Sequence, residues 1–112
     1  IALSSVSTSF HSWDELQGND VPYRYIFISP VFDSISKQGY KAGVDLAGAK
    51  QLKLQYPLKD KFLPQIVALG GVGKNEIRLL KETGFDGAAM LGYVWQSADP
   101  VQSFKDALAA TL

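Results

Sequence analysis

Residues 29 to 40 read SPVFDSISKQGY and follow the apolar run YRYIFI. Ser34 and Ser36 are two positions apart, so in an extended segment both hydroxyls project to one side, and Lys37 follows directly with an ammonium that reaches around. Two hydroxyl donors and a point charge suit a phosphate or diphosphate, which lysine binds without demanding planar geometry. Serine and lysine are also common in solvated loops, which is the plain alternative on local chemistry alone.

Two other stretches carry candidate chemistry. GGVGKN, residues 70 to 75, fails as a nucleotide phosphate loop because Ala68 and Asn75 stand where glycine and serine or threonine are needed. It fails as a dinucleotide fingerprint because the third glycine position is Glu76. What remains is that Gly70 and Gly71 end an apolar run and lead to a helix, leaving backbone N–H groups open to an anion, or simply making a tight turn. STSFHS, residues 7 to 12, holds the single histidine, His11, after a strand and before a capped helix. Its unperturbed pKa suits a general acid or base, and packing or capping is the ordinary alternative. Trp13 and Trp95 read as core or helix-packing residues, since no basic stripe accompanies them.

Composition limits what these groups can serve. Eleven Lys and Arg balance eleven Asp and Glu, so the basic footprint of nucleic-acid or anionic-membrane binding is missing and any anion must be held locally. Without cysteine there is no disulfide framework, thiolate nucleophile or Cys-based metal site, and one histidine cannot make a histidine-rich one. The apolar runs are far shorter than the roughly 20 residues a transmembrane helix needs. We expect a soluble, cytoplasmic protein with phosphorylated small molecules, not nucleic acid or membrane, as partners.

The elements that must position these residues follow from pattern. Runs 4–10, 24–29, 65–70 and 87–92 read as strands, the middle two nearly continuously apolar as in parallel sheets covered on both faces. Ser12 and Glu15 form a capping box that starts a helix at about residue 13. Residues 45–56 read as a second helix, weakened by Gly48. A third follows residue 74, with Ile77, Leu79 and Leu80 inward and Gly84 as its stop. Asp99 caps the last, Pro100 suits its first turn, and Val101, Phe104 and Leu108 repeat at helical spacing. The fold class is therefore α/β, four right-handed βα units on a parallel sheet, with ligand groups gathered at the C-terminal strand ends. A closed parallel barrel takes eight strands, so four leave two edges and one face bare. This predicts self-association or a missing half.

In order, SFHS, YIFISPVFDSISK, VALGGV and GAAMLGYV resemble the C-terminal half of the thiamine phosphate synthase and thiazole tautomerase family. The second piece is similar to its G-P-x-F-x-T-x-T-K signature. The resemblance implies that residues 1–112 are one partial domain, the fifth to eighth βα units of a TIM (β/α)8 barrel. It also implies a transferase of thiamine biosynthesis that joins hydroxymethylpyrimidine diphosphate to thiazole phosphate and releases pyrophosphate. On the same basis Ser34, Ser36 and Lys37, helped by Ser9, stand where the diphosphate is held. Gly70, Gly71, Leu91 and Gly92 stand where the thiazole phosphate is bound. Mg2+ is expected for the full-length enzyme, with its ligands in the first four units, so this chain supplies no metal site and is expected to be inactive alone. Several residues depart from the pattern: Ser29 replaces the signature glycine, Ser34 and Ser36 its threonines, Asp33 a small residue or proline, and Gly92 a serine. The glycine of SKQGY resembles the tautomerases, in which a histidine at the position of His11 would shuttle a proton. A noncatalytic, self-associating phosphate-binding half-barrel is the other alternative.

Overall fold

The computed structural model describes residues 2–3, 6–32 and 43–112. Its strands are β1 (Thr8–Phe10), β2 (Tyr25–Ile28), β3 (Gln65–Leu69) and β4 (Gly87–Ala89). The helices are α1 (Trp13–Gln17), α2 (Gly48–Leu58), α3 (Ile77–Glu82), α4 (Gly92–Trp95) and α5 (Pro100–Ala110), with a 3-10 turn at Lys74–Glu76 leading into α3. The sheet order is β1-β2-β3-β4 and every pairing is parallel. Because the order never reverses, right-handed crossovers all lie on one side of the sheet, the arrangement of a barrel wall rather than of a doubly wound sheet.

Burial follows that one-sided winding. Ile26, Ile28, Ile66 and Ala68 are fully buried under the helices, with Leu16, Ala49, Leu52 and Leu80 packed around them. The four isoleucine and leucine side chains Leu16, Ile26, Ile28 and Ile66 each contribute about 2 kcal/mol through burial. On the opposite face, Ser9, Phe27, Val67 and Gly87 are register partners across the sheet. Ser9 is exposed, Phe27, Val67 and Gly87 are only half-buried, and Tyr25 meets the Phe27 ring edge-on with centroids 5.8 Å apart. Nothing among the described residues covers this face. The expectation that β2 and β3 are covered on both faces is thus corrected within the chain, while the expected bare face and the two free edges, β1 and β4, are present.

Local signals explain most helix ends. Ser12 Oγ accepts from Glu15 N–H at 3.1 Å, and Glu15 Oε2 accepts from the His11 N–H at 3.1 Å, so the capping box forms with its return bond one residue early. Asp99 Oδ1 accepts from Gln102 N–H at 3.1 Å and Pro100 opens α5. Gly84 ends the third helix at φ 95°. Gly48 begins α2 because a side chain there would run into the indole of Trp13, which packs on Phe85 at 5.9 Å and donates to the Asp45 carbonyl at 2.7 Å. Glycine is thus required by close approach, and its low helix propensity is outweighed.

Several expected inward residues face out. Leu79 is 41% exposed, Trp95 is 70% exposed, and Val101, Phe104 and Leu108 are each more than half exposed, while Ala107 is the buried residue of α5. Helical spacing identified the apolar stripe of α5 correctly but not what it packs against. Residues 87–92 do not form one strand either: β4 ends at Ala89 and Gly92 opens α4, a short helix that the sequence pattern missed. GYVW lacks a side-chain cap and is too short for helical periodicity to register.

Candidate functional site

Three loops converge at the C-terminal ends of β2, β3 and β4. After β2 the chain passes through a cis Ser29–Pro30 bond and lies against the end of β3, where Val31 N–H donates to the Leu69 carbonyl and Phe32 N–H to the Gly70 carbonyl, both at 3.0 Å. Val31 is 2% exposed, so the segment is anchored by its side chain as well as its backbone. Gly43 N–H returns to the Pro30 carbonyl at 3.0 Å. Pro30 thus lies beside Gly70 and receives Gly43; Ser34, Ser36 and Lys37, with Asp33, lie outside the described residues.

Gly70 and Gly71 take φ 102° and 66°, two consecutive left-handed positions that only glycine adopts readily. Among the described residues the N–H groups of Gly71 and Val72 donate to no acceptor, whereas Gly73 N–H donates to Glu76 Oε1 at 3.1 Å. Gly73 is buried, and a Cβ there would lie 3.0 Å from Cδ1 of Tyr93, so the turn after β3 touches the first turn of α4. In α4, Gly92 is buried and Leu91 is 56% exposed. The four backbone positions Gly70, Gly71, Leu91 and Gly92 thus belong to two turns in contact. A phosphate would meet backbone donors there, with the Glu76 carboxylate already engaged on Gly73.

Ser9 and His11 sit apart from these turns. β1 is two strand spacings from β3, about 10 Å. Ser9 is exposed on the bare face, and His11 is exposed just beyond β1, its imidazole without a partner among the described residues. Among the described residues no group of three or more His, Cys, Asp or Glu side chains could hold a metal ion. No helix among the described residues is long and apolar enough to cross a membrane.

Comparisons with known proteins agree with this geometry. The family model for thiamine monophosphate synthase matches residues 4–94. Thiamine-phosphate synthase of Desulfitobacterium hafniense is 30% identical over 92 residues, which are 82% of this chain and 42% of that protein. The enzyme of the same name from Syntrophomonas wolfei is 30% identical over 83 residues, 74% of this chain and 37% of its own length. Among solved structures, thiamine phosphate pyrophosphorylase from Pyrococcus furiosus superposes with a TM-score of 0.69 at 22% identity, covering 94% of this chain and 47% of that one. The protein of that name from Bacteroides thetaiotaomicron gives 0.67 at 24% identity, covering 98% and 54%. The chain spans about two fifths of the curated relatives it matches and about half of the solved folds, as four strands of an eight-stranded barrel require. It belongs to the thiamine monophosphate synthase family.

Proposed function

We propose that residues 1–112 are the fifth to eighth βα units of an enzyme that makes thiamine phosphate. In this reading the C–O bond of hydroxymethylpyrimidine diphosphate breaks, pyrophosphate leaves with the bonding electrons, and the thiazole nitrogen lone pair forms the new C–N bond. Ser34, Ser36 and Lys37 hold the departing diphosphate, with Ser9 as a further donor from the bare face. Charge grows on the leaving group as the bond breaks, so donors and an ammonium placed there stabilise the transition state more than the ground state. The Gly70–Gly71 turn and the backbone of Leu91 and Gly92 receive the phosphate of the thiazole. Mg2+, when bound, supplies further charge compensation for pyrophosphate, from ligands in the other half of the barrel. A cytoplasmic setting suits such substrates.

The observation that supports this reading is the pairing of Val31 and Phe32, which precede Ser34 in sequence, with Leu69 and Gly70, at the C-terminal end of a parallel sheet whose inner face is bare. The other half of the barrel, or a second copy, covers that face and completes the pocket. His11 supports a second reading, proton transfer on a thiazole, because it stands exposed at the same end of the sheet with its imidazole unengaged.

The test is to isolate the polypeptide from its native source, weigh it, and assay it for thiamine phosphate formation. A mass near twice the 12.2 kDa of this chain, with activity that falls at least about a hundredfold on Lys37→Ala, is the expected result. A 12.2 kDa polypeptide that does not join hydroxymethylpyrimidine diphosphate to thiazole phosphate would overturn it.

A further inference from the structure

At the opposite end of the sheet, before β2 and β3, two hollows flank Tyr56, Lys61, Phe62 and Pro64. The larger is about 350 Å³ and extends to Lys53 and Asp86, and the smaller is about 170 Å³ and extends to Leu16 and Asp20. A single ring fits either volume, but only the larger reaches the roughly 300 Å³ at which small-molecule sites commonly begin. We propose that this larger hollow binds a small aromatic carboxylate, its ring against Phe62 and Pro64 and its carboxylate between the Tyr56 hydroxyl and the Lys61 ammonium.

Three observations converge on that chemistry. Tyr56 is 6% exposed, and its hydroxyl, which has no hydrogen-bond partner among the described residues, is not itself sealed from solvent, so it is open to an acceptor in the hollow. Lys53 is neutralised by Asp86 at 2.7 Å, whereas Lys61 has no carboxylate partner among the described residues, which leaves the hollow one positive charge. The chain is also bent to put Lys61 there. Asp60 sits at φ 52°, the one non-glycine residue with positive φ among the described residues, and the turn lets Lys61 N–H donate to the Tyr56 carbonyl at 3.0 Å. The Lys61 ammonium then lies 5.8 Å from the Tyr56 ring centroid. A left-handed residue other than glycine costs about 1 kcal/mol and persists where its surroundings make use of it. Burial keeps the Tyr56 phenol protonated beyond its ordinary range, so it is a donor. The Asp20 carboxylate on the smaller hollow repels an anion there, which directs the carboxylate to the Lys61 side. A bare phosphate would leave the apolar wall unused, and a neutral ring would leave the ammonium unpaired. The ligand enters from the end remote from Gly70 and Gly92, so this site does not depend on the reaction proposed above.

Benzoate titration of the chain, followed by amide chemical shifts, tests the proposal, with benzamide and inorganic phosphate as the neutral and the ringless controls. Saturable shifts at Lys61, Phe62 and Gln65 with benzoate are expected, and binding of either control at least about tenfold weaker. Lys61→Met weakens benzoate about tenfold, and Tyr56→Phe weakens it severalfold without moving the backbone turn. Absence of saturable shifts at millimolar benzoate, equal binding of benzamide, or unchanged binding by Lys61→Met overturns the site. Lys61 is exposed, so its variant decides even where Tyr56→Phe disturbs folding.

Discussion

A Cβ on Gly70 would stand 2.9 Å from the Cα of Pro30 and 3.3 Å from the backbone nitrogen of Val31. Both neighbours are backbone atoms held by the hydrogen bonds of Val31 to Leu69 and of Phe32 to Gly70, so neither moves cheaply. Gly70→Ala therefore meets a clash and a φ of 102° at once. We expect a loss of about 2 kcal/mol or more, read as a lower urea midpoint, together with loosening of the Pro30 segment and the loop it carries. An unchanged midpoint would show that the two loops are not mechanically joined.

The exposed stripe of α5 predicts association. Val101, Phe104 and Leu108 add a contiguous apolar face to the bare side and edges of the sheet, and faces of that kind on soluble proteins mark interfaces. Sedimentation velocity should show the chain as a dimer or larger at micromolar concentration. Phe104→Glu combined with Leu108→Glu should shift it toward monomer at little cost to helix content, since neither side chain packs on the core of its own chain. Ala107→Glu should instead detach α5, because that residue is 5% exposed. A monomer at every concentration counts against self-association through either the sheet or α5.

The order of elements was legible in the sequence because each rests on local signals: the Ser12 and Glu15 capping box, the apolar runs of β2 and β3, the Asp99 cap and Pro100. Sidedness was not. Helical spacing marks Phe104 and Leu108 as one face, yet spacing alone does not say whether a neighbouring element covers it, and among the described residues none does. Gly48 shows a different limit. Its propensity argues against a helix, and only the approach of Trp13, 35 positions earlier, explains why glycine begins one. Of the candidate site, Gly70 and Gly71 form the turn after β3 and Gly92 opens the helix after β4, both at strand ends. The role of Gly73 in joining their turns through Tyr93 required the third dimension.

Asp86 divides its work between two oxygens, which allows a comparison. Oδ1 meets the Lys53 ammonium at 2.7 Å, with the two side chains 27% and 37% exposed, and Oδ2 accepts from the Ile66 N–H at 2.8 Å. A partly exposed ion pair contributes about 0.2 to 1 kcal/mol, while a charged acceptor on a backbone N–H at the start of a core strand contributes about 1.5 to 3 kcal/mol. Lys53→Met should thus be nearly neutral and Asp86→Ala clearly destabilising in urea unfolding. Equal losses would mean that the ion pair dominates.

Tyr56 gives the chain a signed dependence on alkaline pH. Burial raises its phenol above the ordinary value of 10.0 by penalising the phenolate. In the unfolded chain the proton leaves near that ordinary value, while the folded chain keeps it to higher pH, so in this window the unfolded state binds fewer protons. Stability from Tyr56 is therefore fully present below about pH 10 and is lost as pH rises through the folded value. Tyr56→Phe has no such proton to lose. Urea midpoints at about pH 8 and about pH 11 should fall more steeply for the natural chain than for Tyr56→Phe. Parallel falls would mean that the phenol is not desolvated, which would also remove the enclosed donor from the hollow beside Lys61.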